Sequence, residues 1–573
     1  MNDPIGQTAT FDTGAWRQRI VAARGTAQAD LLLAGGHVAN VFTGELEEAN
    51  VAVVGGRIAG VGNYSRAAAY VDCRGKVISP SFVDPHIHLE SSLVWVSEFA
   101  RAVIPRGTGL VITDPHEMAN VLGLPGLDAM RWAARRLPMH IRFTAPSCVP
   151  ASPWESPGAQ FGADEIAQML AWPETVGLGE LMNVAAATSG DALIGRMLAI
   201  AAGRRHDGHA PGVTGARLQT YLAAGIHSDH ESTELAEAYT KLQSGLMIMI
   251  REGTSERNLK ELLPLASGST FARCTFCSDD RDCKTLQQDG HVDAIVRLAI
   301  AGGLDPVRAI RLATWNAADY WRIDGVGSVA AGYEANLIVL DDLEQVQVGM
   351  TMFQGQVVAR DGAMVTGMHA EPAPDWLKTS VNTGPLTIEA LALTAERGKQ
   401  AVRVVPGQIV TKHERIESAA EQGYAISDPG QDLLKLVCVE RHRATGRVGV
   451  GYVRGFGLKS GALASSIAHD AHNIVAVGVA DQDILTAVQR VAAMQGGLVA
   501  VSDGQVTAEL PLPIAGIMSD QPLASVVEAI ERLDRAAQEL GSELEAPFGT
   551  LAFMALSVIP EARVTDMGYV RVS

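Results

Sequence analysis

Hydrophobic and polar positions follow two rhythms along this chain. From about residue 28 to 78, short Val/Ile/Leu runs alternate with glycine turns, in ADLLLAGGHVANVF and then EEANVAVVGGRIAGVG. That alternation predicts a small antiparallel β unit with hairpins at Gly35-Gly36 and Gly55-Gly56. The same texture returns over 328–366, in GSVAAGYEANLIVLDD and FQGQVVARDGAMV. Between these stretches the rhythm changes to short apolar runs, SFVDPHI, GLVITD, IRFTAP, TVGLGE, RRHDGH, AGIHSD, LMIMI and FARCTFC, each followed by a helix-length segment rich in Ala, Leu, Glu and Arg. Eight strand-then-helix units predict an α/β fold of the closed (β/α)8 barrel type. An open doubly wound sheet would call for a glycine-rich phosphate turn, and none stands after these strands. After EPAPDW, a proline-rich linker, about 190 residues of mixed strands and helices follow. The expected division is 1–78 with 326–372 as a discontinuous small β-sandwich, 79–325 as the barrel, and 373–573 as a C-terminal α/β domain.

Polar residues able to bind metal fall at the carboxyl ends of the predicted strands, where such barrels keep their active sites. They are His86-Ile87-His88, Glu180, His206-Asp207-Gly208-His209, His230, and Asp279 with Asp280. Side chains two apart on a strand point the same way, so Asp84-Pro85-His86-Ile87-His88 aims two imidazoles at one point. Later strands can add a carboxylate, further imidazoles and a last carboxylate, the ligand set of a centre that activates water. His206 and His227 read as structural histidines, and Asp280 as a supporting or helix-capping acid. Cys274-Thr275-Phe276-Cys277 with Cys283 lacks a second C-x-x-C, so these thiols are expected to be buried core residues, not a zinc site.

Composition narrows the function classes. Hydrophobic residues are 47% of 573 and charged residues 19%, as in a globular chain with ample core. A formal net charge of −18 argues against a nucleic-acid partner. No apolar run is long enough for a membrane span, and MNDPIGQTATFDTGAW lacks the charged-then-apolar layout of a signal peptide. Six cysteines in so long a chain form no disulfide framework. A reducing cytoplasm is the expected compartment.

The chain resembles the adenine deaminases of the amidohydrolase superfamily. Asp84, His86 and His88 form the superfamily's D-x-H-x-H opening. The narrower likeness lies in HIHLESS (86–92), TDPHEMANV (113–121), GLGELMN (177–183), DGHAPG (207–212), DHES (229–232), MIREG (249–253) and CSDDR (277–281), with GFGLKSGALASS and AHDAHNI near the C-terminus. The likeness spans nearly the whole chain. It departs from the family's usual pattern at Ser81, normally glycine, and at His227.

The resemblance implies hydrolytic deamination of adenine to hypoxanthine and ammonia by a metal-bridged hydroxide. It implies two divalent ions, Mn or Fe favoured and Zn admissible. His86, His88 and Asp279 would hold one ion, His209 and His230 the other, and Glu180 would bridge them. Asp279 is the candidate for the first proton transfer, and Glu117 and Glu231, each following a site histidine, are candidate general acids or purine contacts. Asp114 and His116 could read the purine edge, with Ser91, Ser92, Arg251 and Glu252 as further contacts, unless Arg251 and Glu252 simply pair with each other. The cluster His469, Asp470, His472 and Asn473 could form a lid, hold a separate ion or cap a helix. A small-molecule purine base is the expected partner, and a homodimer the expected assembly. The alternatives are another aminopurine or a cyclic amide or ureide as substrate. A cytidine-type zinc deaminase is rejected: the H-x-E of His88-Leu89-Glu90 and the thiols Cys274 and Cys277 lie far apart, with no proline before Cys274.

Overall fold

Eight short strands, each followed by helix, close into a ring in the computed structural model of the chain, which describes residues 12–365, 367–406 and 408–572. In chain order the strands are β1 (Phe82–Ile87), β2 (Thr108–Thr113), β3 (His140–Ala145), β4 (Thr175–Leu181), β5 (Arg205–Gly208), β6 (Ser228–Asp229), β7 (Met247–Arg251) and β8 (Cys274–Cys277). β1 to β5 pair in parallel in sequence order, and β6 to β8 do the same. The two arcs meet on one side through His227, whose N–H donates to His206 O at 3.0 Å and whose carbonyl accepts from Met247 N at 2.9 Å. On the other side a parallel bridge joins Ile87 to Asp279. All eight runs singled out in the sequence form barrel strands. They read as unbroken apolar stretches because parallel strands under a helical coat are covered on both faces, and every residue of β1, β2, β7 and β8 is buried.

Ser81, just before β1, is accommodated by its neighbour. A Cβ on Gly109 would lie 2.2 Å from Ser81 Oγ, so the hydroxyl fills space that only glycine leaves.

Two sheets flank the barrel, one from the N-terminal segment alone and one from segments on both sides of the barrel in sequence. One has the order Arg57–Gly62, Asn50–Val54, Ala29–Ala34, Ala67–Asp72; the other runs Ala363–Met364, Gln356–Arg360, Gln347–Phe353, Leu337–Asp342, Val77–Pro80, His37–Asn40, Glu45–Glu48. Two expectations are corrected here. The unit is mixed, since Ala29–Ala34 pairs in parallel with Ala67–Asp72 and His37–Asn40 with Val77–Pro80. Gly55-Gly56 does close a hairpin, but Gly35-Gly36 carries the chain from one sheet to the other. A tight glycine turn reverses the chain without fixing its pairing, and here long-range register decides.

The C-terminal region is built on an eight-stranded sheet, antiparallel except where Gln400–Val404 lies along Val448–Arg454. Helix Asp481–Ala493 packs on it. Residues 466–473, between strands Ala462–Ser465 and Ile474–Gly478, run to the carboxyl end of the barrel. Among the described residues no helix is long and apolar enough to cross a membrane. Most of the N-terminal stretch read as free of a signal peptide lies outside the described residues. All six cysteines are buried and unbridged. Burial pushes the Cys274 thiol up to about 12.

Candidate metal centre and active site

The barrel's carboxyl ends bring His86, His88, Glu180, His209, His230 and Asp279 to one place. The donor atoms of His86, His88 and Glu180 lie within 4.8 Å of one another, as do those of His86, His230 and Asp279, and of Glu180, His209 and His230. The Glu180 carboxylate sits between two sets of imidazoles. Its Oε1 is 3.3 Å from His88 Nε2, and its Oε2 is 2.7 Å from His209 Nδ1 and 3.3 Å from His230 Nε2. Asp279 Oδ1 lies 3.2 Å from His86 Nε2 and 3.1 Å from His88 Nε2. Asp279 stands just past β8 in left-handed backbone (φ 57°), a conformation that Asp tolerates better than most residues.

The supporting shell orients these rings. His88 Nδ1 donates to the Asp114 carbonyl at 3.0 Å, so Nε2 turns its lone pair to the centre. His86 Nδ1 meets Asp207 Oδ2 at 2.7 Å, which does the same for His86. Asp207 is in turn fixed by Ser228 Oγ at 2.5 Å, and Tyr320 donates to that hydroxyl at 2.6 Å. Asp207 stood within the His206-Asp207-Gly208-His209 cluster but was assigned no ligand or catalytic role of its own. Its signal was its place on a strand, two before His209.

Electrostatics suit a cation site. Burial works to neutralise Glu180 and Asp279, yet both are held well below the usual carboxylate range, Glu180 by His209, His230 and His88, Asp279 by Arg251, His86 and His88. His230 is fully buried and neither ring nitrogen has a hydrogen-bond partner among the described residues, an expensive condition unless the ring serves a ligand. Asp114 Oδ1 and His116 Nδ1 make no hydrogen bond among the described residues; they face each other at 3.8 Å, and His116 Nδ1 lies 3.5 Å from Glu180 Oε1. The other Asp114 oxygen accepts the Glu180 N–H at 2.7 Å. That approach needs Gly179, where a Cβ would lie 2.2 Å from Asp114 Oδ2.

Other candidates are placed differently. The Ser92 hydroxyl turns into its own loop, donating to Leu89 O at 2.6 Å. Ser91 donates to Asp280. Arg251 is committed to Glu231 and to Asp279 Oδ2 at 2.8 Å, not to an open pocket. It does not pair with Glu252, which accepts the Leu259 N–H at 3.1 Å. Glu231 therefore serves Arg251, 3.4 Å from His230 Nε2. Replacing Glu231 with Gln leaves buried Arg251 one carboxylate short, an expected loss of roughly 3 kcal/mol of stability, to be read from denaturant melts; an unchanged midpoint would refute the pairing. His206 is bracketed by the carbonyls of Gly225 (2.9 Å) and Ala201 (3.0 Å), away from the centre. His227 accepts the His206 N–H at 3.1 Å, and burial lowers it to about 4. Glu117, at the start of helix His116–Ala134, meets His469 Nδ1 and His472 Nε2 from the C-terminal region, and Asp470 comes within 3.9 Å of His116.

Comparisons with known proteins bear on this arrangement. Residues 77–358 match the Amidohydrolase family and residues 408–573 the Adenine deaminase C-terminal domain. An adenine deaminase of Dehalococcoides mccartyi is 47% identical over 97% of this chain and 97% of its own. One of Desulfatibacillum aliphaticivorans is 43% identical over 97% of this chain and 98% of its own. Among solved structures, an adenosine deaminase from Xanthomonas campestris with bound zinc overlaps at a TM-score of 0.45 and 16% identity, covering 59% of this chain and 95% of its own, too distant to carry a functional argument. Full-length identity at this level, on a barrel whose strand ends gather the six candidate ligands, makes the chain a member of the adenine deaminase family of the amidohydrolase superfamily.

Proposed function

We propose that the chain deaminates adenine hydrolytically, giving hypoxanthine and ammonia. The observation that carries this is the convergence of six nitrogen and oxygen donors in a chain aligned end to end with adenine deaminases. The donors fit two divalent ions. His86 and His88 with Asp279 would hold one, His209 and His230 the other, and Glu180, with an oxygen toward each set, would lie between them. A thiolate-free N/O set suits Mn, Fe or Zn, and the family resemblance favours Mn or Fe. Such ions acidify a water until it is a competent nucleophile near neutral pH.

The protein's own groups do the rest. Asp279, kept ionised beside Arg251, is placed to accept the proton of the attacking water. Water adds at C6, and ammonia departs once the ring nitrogen and the amine are protonated. Burial tends to raise the Glu117 carboxyl, but His469, His472 and His116 hold it well below its usual range, so it takes a proton before it can pass one on. Glu231 is engaged by the cationic Arg251, whereas Glu117 lies beside His116, His469 and His472, groups that can exchange protons with it, and we take Glu117 as the shuttle. Asp114 Oδ1 and His116 Nδ1, which make no hydrogen bond among the described residues, are the groups we read as meeting the purine edge. We also read the chain as three units, 1–78 with 326–372, 79–325 and 373–573, working as a cytoplasmic homodimer.

The direct test is ammonia release from a panel of aminopurines by protein loaded separately with Mn, Fe and Zn. Adenine is expected to be the preferred substrate. Opening of a lactam ring without adenine turnover would replace this reading with a cyclic-amide hydrolase.

Loading should also release protons. Burial lowers His209, but Glu231 and Glu180 overcome it and raise the ring to about 9, so it is protonated in the folded metal-free chain at pH 7.5. A cation binds only the neutral imidazole. Metal uptake at pH 7.5 should therefore expel at least one proton, with release fading as pH rises through about 9. In the metal-free chain, stability from this raised group is fully present below the unfolded value near 6.5 and lost as pH rises through about 9. Indicator-dye titration checks the release; a yield independent of pH from 7 to 10 would refute it.

A further inference from the structure

Two histidines of the C-terminal region meet the Glu117 carboxylate of the barrel, one on each oxygen. His472 Nε2 faces Oε2, and His469 Nδ1 faces Oε1. We propose that His469 and His472 are positioning residues that fix Glu117 for proton transfer, so that the C-terminal region completes the catalytic site. This rests on the reading of Glu117 as the proton shuttle.

The geometry distinguishes a hydrogen-bonded clamp from a third metal site, although Glu117, His469 and His472 are close enough to hold an ion. His472 Nδ1 accepts the Ala468 backbone N–H at 3.2 Å. Its Nδ1 therefore carries a lone pair, and in the neutral ring the proton sits on Nε2, pointing at Glu117. A ring nitrogen that carries a proton donates; it does not ligate. His469 is held from the other side. Its ring stacks on Phe553 with centroids 4.8 Å apart, and its backbone N–H donates to Ala552 O at 3.0 Å.

The segment bearing both rings is itself anchored. Fully buried Arg441 donates to the His472 carbonyl and, at 3.1 Å, to Ala515 O. Asn473 Nδ2 reaches Ser156 O, in the loop after β3, at 3.1 Å. A carboxylate held by two fixed donors cannot swing, and a shuttle must hold one position between donor and acceptor. Charge agrees with geometry: burial opposes it, but Glu117 raises His469 to about 9, an imidazolium beside a carboxylate.

The test compares His469→Leu, His472→Leu, His469→Asn, His472→Gln and Glu117→Gln in the full-length, metal-loaded protein. Each Leu variant should lose about 10²-fold in kcat, the cost of a misplaced reacting group, with KM near wild type and two ions per chain. Asn places an amide donor where His469 Nδ1 stood, and Gln does so for His472 Nε2, so these should recover most of the loss. Leu variants at wild-type kcat beside an inactive Glu117→Gln would overturn the inference and leave the shuttle standing. A fully active Glu117→Gln would remove the reading beneath it. Amide variants no better than Leu, or a third ion that His472→Leu abolishes, would also overturn the clamp. If the Leu variants fail to fold, the amide variants against wild type still decide it.

Discussion

Protein carrying Glu180→Gln is expected to retain fewer than two divalent ions per chain and to lose adenine turnover by on the order of 10³-fold or more, since the nucleophile is then left without the acidification that bound cations provide. The expectation follows from position. Glu180 is the one carboxylate with an oxygen toward each histidine set, 3.3 Å from His88 and 2.7 Å from His209. Its backbone is fixed by the Asp114 carboxylate, so the neutral amide would sit where the acid did. An amide offers one oxygen and one donor, and the donor would point at an imidazole or a cation. Elemental analysis with an ammonia assay checks this. Full metal content and full activity would remove Glu180 from the centre.

Glu117→Gln should give the complementary result, with both ions retained and kcat lower by about 10²–10⁴-fold, the range for a positioned proton transfer. Glu117 touches none of the six candidate ligands; its partners are His116, His469 and His472. Metal loss in this variant would assign Glu117 to the centre's integrity instead of its chemistry. Together the two variants separate binding of the cations from movement of protons, which neither does alone.

Most of the barrel was legible because its strands are largely buried and most run into a polar residue at the carboxyl end. SFVDPHI and TVGLGE carry their ligands as a change from apolar to charged at a strand end. The short strand Ser228–Asp229 was legible only through the histidine after it. What stayed hidden was pairing over distance. Nothing local marks His469 and His472 as partners of Glu117, since the contacts span 352 and 355 positions. Asp207 stood in plain view between two histidines, but its bond to His86 crosses the barrel. The turn at Gly35-Gly36 was visible and its consequence was not, because a glycine pair does not state which sheet the next strand will join. The alternative that Arg251 pairs with Glu252 failed for a similar reason: the two acids that it meets, Glu231 and Asp279, come from neighbouring strand ends and not from its own sequence neighbour.

The run of residues that reaches back over the barrel mouth has a consequence for biosynthesis. A nascent chain exposes every candidate ligand once Asp279 has left the ribosome, long before His469 has been translated. Early-emerging segments fold first, so cation capture can precede arrival of the groups that steady the shuttle. Chains cut short ahead of residue 468 would also lack Ile474–Gly478 and Gly497–Ser502, inner strands of the C-terminal sheet, and are therefore expected to be inactive and to expose unpaired strand edges.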